Sequence, residues 1–365
     1  MSEWKEILLP DITTKIGDGL HGTPIYDNNG DYYFINGNNL VNGKIIIKED
    51  TKRVSESEFH RHAKPLNERT LLLGINGTIG NVAYYKNEKC MLGKSACYIN
   101  LNNDVDARFV YYTFLGRDFQ NYIEGIATGT TIPNVPLKGI REFSFKIPPL
   151  PDQAAIASVL SSLDDKIDLL HRQNATLEKM AETLFRQWFV EEAKEDWETN
   201  TLSYFADFFN GKTRPNEVGH IPIYGGNGIL GYTSKSNYSG KSIIIGRVGA
   251  YCGSLYYESK DIWVSDNALL VRAKNEDTTH FLFYLLRTLN LNSMAEGSSH
   301  PLLTQTLLKS IEIQVPPFEK IKEFDFQLEV IQNRIESNQT QIRTLTTLRD
   351  TLLPKLMSGD VRVER

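Results

Sequence analysis

Three short stretches carry residue types that do chemistry, and each lacks a required member. Val315-Pro316-Pro317-Phe318 has the outline of the Asn/Asp-Pro-Pro-aromatic motif that holds a flipped adenine, but a valine offers nothing to the base's amino nitrogen. Gly-Lys-Ser occurs at 93–95 and again at 240–242. A phosphate-binding loop also needs a glycine five residues earlier, where Glu88 and Lys235 stand. The seven histidines show no H-x-x-x-H or Cys-His spacing for a metal, and Cys90, Cys97 and Cys252 form an odd, scattered set that reads as reduced thiols in a cytoplasm. We expect no catalytic residue, no metal site and no cofactor in this chain.

What remains is a series of polar clusters in turns. The first set is Lys15, His21 and Thr23; Asn36, Asn38 and Asn39; Asn76 and Thr78; and Thr128, Thr130, Thr131 and Asn134. The second is Lys212, Thr213 and Arg214; Asn227; Arg247 and Tyr251; and Ser298, Ser299, His300 and Thr304. Amide and guanidinium groups make bidentate bonds to adenine and guanine edges, and hydroxyls and lysines hold phosphates, so these residues are candidate DNA contacts. Gly-Asn and Gly-Thr turns also form for backbone reasons alone. The glycines of "GINGTIGN" (74–81) and "GRVGAYCG" (246–253) read first as what lets the chain turn tightly between strands.

The elements that would carry these turns occur twice. At an offset of 168, Gly129 falls on Gly297, Pro133 on Pro301, Pro148-Pro149 on Pro316-Pro317 and Ile167 on Ile335. At an offset of 172, "LLLGINGTIGNVAYY" from Leu71 falls on "IIIGRVGAYCGSLYY" from Ile243; separately, the stretch from Trp4 resembles that from Trp197. The first copy is about 21 residues longer between its Trp and its Gly-rich turn. Each copy reads as a strand-rich domain followed by one long helix.

The first helix begins after Pro148, Pro149 and Pro151, with Asp152 placed to cap its first turn. Its seam positions keep a 4-3-4-3 rhythm through Ile156, Leu160, Leu163, Ile167, Leu170, Asn174, Leu177, Ala181, Leu184 and Trp188. The second helix repeats it through Phe324, Leu328, Ile331, Ile335, Asn338, Ile342, Leu345, Arg349, Leu352 and Leu356. A seven-residue period held this long keeps one seam toward a partner helix. The first helix leads from one domain to the next and the second has no third domain to reach, so an antiparallel pair, roughly 55 Å long at 1.5 Å per residue, buries both seams. In that pairing Asn174 approaches Asn338, and Asn174→Leu is expected to raise the melting temperature.

Length and charge agree with two domains. A chain of 365 residues exceeds one ordinary core, and no apolar run approaches the ~20 residues of a membrane span. The N-terminus shows no signal-peptide pattern. The net charge is −5, but residues 1–150 carry 17 basic against 17 acidic side chains and residues 201–315 carry 10 against 9. The acidity gathers in stretches such as "EEAKEDWETN" (191–200), leaving two near-neutral domains free to present basic faces.

The chain resembles, over its whole length, the specificity (S) subunit of type I restriction-modification systems. The likeness rests on "IPPLPDQAAIASVLSSLDDKIDLLHRQNATLEKMAETLFRQWF", on "HGTPIY", on "SIIIGRVGAYCGSLYY" with "WVSDNALL", and on "LLPKLMSGDVRV". It implies a mixed α/β (α+β) fold with two strand-rich target-recognition domains joined by two long helices in an antiparallel coiled coil, a pseudo-twofold tandem repeat. The boundaries expected are 1–147 and 191–315 for the domains, with 148–190 and 316–365 for the helices and tail. The resemblance further implies a non-catalytic cytoplasmic chain. It would direct two methyltransferase (M) subunits, and through the complex the restriction (R) subunits, to a bipartite, asymmetric double-stranded DNA target. S-adenosylmethionine, ATP and Mg²⁺ would then bind those partners. Two departures touch the edges of the second domain: its helix begins "PPFEKIKEF" where a proline-acid-glutamine start is usual, and its first turn is "GKTRP" (211–215). From the residues alone, a coiled-coil scaffold that reads no sequence is the rival, and an RNA binder is disfavoured by the lack of an aromatic RNP-like motif.

Overall fold

The structure, a computed structural model, describes residues 4–295 and 302–363 and divides into two compact units, residues 1–169 with 341–365 and residues 170–340. In unit one the elements are β1 (Lys5–Leu8), β2 (Thr13–Asp18), β3 (Tyr32–Ile35), the short pair β4 (Leu40–Val41) and β5 (Lys44–Ile45), β6 (Arg53–Val54) and α1 (Glu56–His62). They continue with β7 (Thr70–Asn76), β8 (Thr78–Tyr84), β9 (Cys90–Leu92), β10 (Ala96–Leu101), α2 (Ala107–Leu115), α3 (Arg117–Ile126), α4 (Leu137–Arg141) and β11 (Ser144–Ile147). The runs "TLLLGIN" and "ACYINL" are almost wholly apolar, as strands covered on both faces must be. They form the middle of an antiparallel sheet ordered β2-β10-β7-β8. Leu71, Leu73, Cys97 and Ile99 face the helices with Phe109, Phe114 and Phe119. Leu72, Ala96 and Tyr98 face a second sheet, β6-β3-β9, whose β3 and β9 are parallel.

The next element is α5 (Leu150–Arg186), after which unit two repeats the plan. Its elements are β12 (Glu198–Thr201), α6 (Leu202–Phe205), β13 (Ala206–Asn210), β14 (Ile221–Gly225), β15 (Gly228–Thr233), β16 (Ser242–Gly246), β17 (Leu255–Glu258), β18 (Trp263–Val264) and β19 (Ala268–Ala273). Helices α7 (Thr279–Thr288), α8 (Leu291–Met294) and α9 (Gln305–Ser310), strand β20 (Glu312–Val315) and helix α10 (Phe318–Ser358) complete the chain. The sheet β13-β19-β16-β17 answers to β2-β10-β7-β8, and β14 runs parallel to β18 as β3 does to β9. Ile243, Ile245, Leu269 and Val271 face the helices, and Ile244, Ala268 and Leu270 face the smaller sheet.

The two strand-rich halves are joined by α5 and α10, which lie in contact. Within unit two, Asn174 bonds Asn338 and Phe185 packs on Phe324, so the residue numbers rise along one helix as they fall along the other: the pair is antiparallel. Within unit one, Asp164 pairs with Arg349 at 2.9 Å, and Ile156 and Leu160 share a core with Leu352 and Leu356. All the seam positions named above are buried or half-buried. Helix α5 starts two residues before Asp152, with the Pro149 carbonyl accepting the Asp152 and Gln153 amides, so Asp152 sits inside the first turn instead of capping it. Gln153 does the tying: its Oε1 accepts the Asp106 amide and its Nε2 donates to the Pro148 carbonyl.

Each half is closed by a strand pair, β1 with β11 and β12 with β20. A tryptophan precedes each pair's first strand. Trp197 packs against Phe189 just past α5, and Trp4 lies against Gly359 just past α10. In unit two, Asp325 of α10 accepts the His280 and Phe281 amides at the start of α7 (2.8 and 2.9 Å), which Thr278 leaves uncapped. Burial pushes the Asp325 carboxyl up to about 7.

Candidate nucleic-acid interface

Five turns of unit one meet at one end of its sheets. Residues 19–24 lie beside the 93–95 turn, because the Leu20 amide donates to the Leu92 carbonyl and the Gly19 amide to the Ala96 carbonyl. Gly19 has no alternative: a Cβ there would sit 2.2 Å from the Leu92 carbonyl oxygen. The 36–39 turn is fixed on the 93–95 turn, as Ser95 Oγ accepts from the Gly37 amide and donates to Asn36 Oδ1. The β7–β8 turn joins the 128–134 loop, where Asn76 bridges Asn134 through the backbone and through their side-chain amides (3.1 Å).

Unit two builds the same frame from other residues. The Lys212 amide donates to Val264 and the Gly211 amide to Ala268, and Val248 bridges Leu302 as Asn76 bridges Asn134. A Cβ at Gly211 would lie 1.8 Å from the Ser265 oxygen, so both first turns demand glycine at one place. The β14–β15 turn, residues 225–228, occupies the place of 36–39: Gly226 lies near the Val248 and Asn267 carbonyls as Gly37 lies near those of Thr78 and Ser95.

The frame sorts the candidates by what their side chains already do. Asn39 is buried, with Oδ1 accepting the Asn36 amide and Nδ2 donating to Ile46 and Thr51. Asn36, Asn76, Asn134 and Thr128 likewise hold the turns together. Thr304 caps α9, His21 pairs with Asp18 at 2.6 Å, and Arg214 donates to the Leu230 carbonyl. Thr23, Asn38, Thr78, Thr130, Thr131, Lys212, Thr213, Asn227 and Tyr251 are exposed. Arg247 is half-buried with Nε unpaired. Lys15 stands apart: it is level with Asn100 and Thr70, roughly 20 Å along the strands from Asn76 at 3.3 Å per residue. Ser298, Ser299 and His300 lie outside the described residues.

One residue escaped sequence reasoning although its signal was present. Lys94, the middle of the first Gly-Lys-Ser, is exposed in the 93–95 turn among the other four turns. The triplet fails as a nucleotide loop, yet its lysine stands as a single cation beside the exposed amides and hydroxyls of the other turns. Its counterpart in unit two is Asp266, also exposed, so the halves differ in charge at an equivalent point.

Among the described residues, no group of His, Cys, Asp and Glu could hold a metal ion, and no helix is long and apolar enough to cross a membrane. The surface is one of exposed amides, hydroxyls and cations on rigid turns, the equipment for reading polar edges and phosphates. The chain matches the family model described as type I restriction modification DNA specificity domain over residues 1–179 and again over 194–347. It is 25% identical over 410 residues to the type I restriction enzyme MjaIX specificity subunit of Methanocaldococcus jannaschii, covering 99% of this chain and 94% of that one. It is 22% identical to the HindI specificity subunit of Haemophilus influenzae, covering 99% and 100%. Its fold is similar to that in the crystal structure of the type I restriction-modification system S subunit from M. genitalium, with a TM-score of 0.67 at 21% identity over 98% of this chain and 96% of that one.

The chain therefore belongs to the specificity subunits of type I restriction-modification systems. Its part in such a complex is to direct DNA target recognition, and it is itself non-catalytic.

Proposed function

We propose that each set of turns reads one half of a bipartite, asymmetric double-stranded DNA target. The observation that carries this is one bonded frame built twice with different exposed side chains: Asn38, Thr78 and Lys94 in unit one, Asn227, Tyr251 and Asp266 in unit two. A repeated frame makes two readers, and different side chains make them read different sequences. On this reading residues 1–147 and 191–315 are the recognition domains, and the helices at 148–190 and 316–365 carry two methyltransferase subunits, with restriction subunits joining through the complex in the cytoplasm. The partners supply S-adenosylmethionine, ATP and Mg²⁺ chemistry.

The test is methylation sequencing of DNA from cells that make this chain with its cognate methyltransferase. The expected result is one recurrent motif of two unlike specific blocks separated by unspecified bases. A single uninterrupted block, or two identical ones, overturns the proposal.

A further inference from the structure

We infer that Asn38 and Asn227 are the paired base-reading side chains, each bonding an adenine edge in its own half of the target; this rests on the two-half reading above. The two residues are not related by the offset of 168 or 172 that relates the rest of the repeat; they are 189 apart. Structure alone makes them equivalent. Each directly follows the glycine, Gly37 or Gly226, that packs against the β7–β8 or β16–β17 connection, and each follows the strand that runs parallel to β9 or β18.

Asparagine in a turn ordinarily has one of two local reasons. It tolerates a left-handed backbone, or its side chain bonds nearby main chain. Neither applies here. Among the described residues the non-glycine ones with positive φ are Asn42 and Asn87, at 48° and 63°, and do not include these two. Neither side chain makes a hydrogen bond among the described residues, whereas neighbouring Asn36 and Asn39 are both committed to the turn. Both residues are exposed, and each rides on a frame with little freedom: in unit one a Cβ on Gly37 would come within 2.8 Å of the Thr78 oxygen, and in unit two Gly225 pairs across the hairpin with Gly228 at φ +76°. A side-chain amide held outward on a rigid turn can accept from adenine N6–H through Oδ1 and donate to N7 through Nδ2 at once, and that pairing selects adenine.

The test is the methylation motif of the whole complex for Asn38→Ala, Asn227→Ala and, to guard against a local packing defect, the Ser variant at each position. The expected result for each is loss of preference for adenine at one position of one block, discrimination there falling by about 10- to 100-fold, with the other block unchanged. An unchanged motif, or uniformly weaker methylation at every site with normal melting, overturns the assignment. If the wild-type motif lacks two blocks, the two-half reading itself fails, which the variants alone do not decide.

Discussion

Replacing Asn174 tests how the two long helices are held in register. Asn338 Nδ2 donates to Asn174 Oδ1 at 2.8 Å, with Gln173 Oε1 at 3.5 Å as a second acceptor. Asn338 is fully buried, Asn174 is 8% exposed, and Asn338 Oδ1 has no partner. The sequence expectation that Asn174→Leu raises the melting temperature treats Asn174 alone, and its bond to buried Asn338 argues for the opposite sign. The single change loses one amide bond, worth about 1 kcal/mol net, and leaves the buried Asn338 amide with only the long 3.5 Å contact to Gln173 Oε1, at about 1–3 kcal/mol. Leucine's gain in apolar burial, at most about 1.5–3 kcal/mol for a whole side chain, is partly forfeited in a space shaped for asparagine. We expect Asn174→Leu and Asn338→Leu each to lower stability by about 1 kcal/mol. The double variant removes both desolvated amides and should stand at or above the wild type, giving a coupling of at least ~2 kcal/mol. Urea unfolding of the four chains, followed by helical circular dichroism, measures this. Strict additivity, or a single Asn174→Leu chain as stable as the wild type, refutes the reasoning.

Asp325 has a folded-state pKa of about 7, above its unfolded value of ~4, so the folded chain holds a proton that the unfolded chain releases and this group's stabilisation declines as pH rises from about 4 to about 7. Asp325→Asn should flatten that decline in urea midpoints measured across the window; an unaltered slope rejects it. Burial pushes the thiols of Cys90 (to about 12), Cys97 and Cys252 upward, so none should react with a thiol reagent at pH 8 until the chain unfolds, when all three should; fast labelling of the folded chain counts against it. Gly359 touches Trp4, so a chain joined from Val363 to Trp4 by a short linker and opened at exposed Lys194 should fold and keep the methylation motif, read by sequencing; a changed motif contradicts the joined ends.

The long helices and their seam are legible in the sequence because a heptad pattern speaks of one face at a time, and the seam positions carry it from Ile156 to Trp188 and again from Phe324 to Leu356. The sheets are legible through runs such as Leu71–Ile75 and Ile243–Ile245, repeated at a constant offset. The turns are less so. Between Asn38 and Leu71 unit one adds β4, β5 and α1, which shifts the register and hides the equivalence of Asn38 with Asn227. Composition also cannot separate an amide that braces a turn, such as Asn39, from one that projects outward, such as Asn38: adjacent residues of one type differ only in what surrounds them. The Asp325 cap is invisible for a related reason, since a carboxylate in the middle of a helical sequence reads as solvated until the start of α7 is placed against it.

Unit one's core includes Leu352, Leu353, Leu356 and Met357, and Val363 packs on it too. These residues leave the ribosome about 200 positions after Leu160, which at ~5–20 residues per second is a delay of roughly 10–40 s. The half of the protein made first is thus finished last. Until α10 arrives, the groove along Ile156 and Leu160 is open and apolar, and a nascent chain stalled or truncated before Leu352 carries a complete set of first-half strands with an unsealed core. Premature termination near the 3′ end of the gene should therefore damage the N-terminal half, and protease sensitivity in the first 150 residues is where that damage becomes visible.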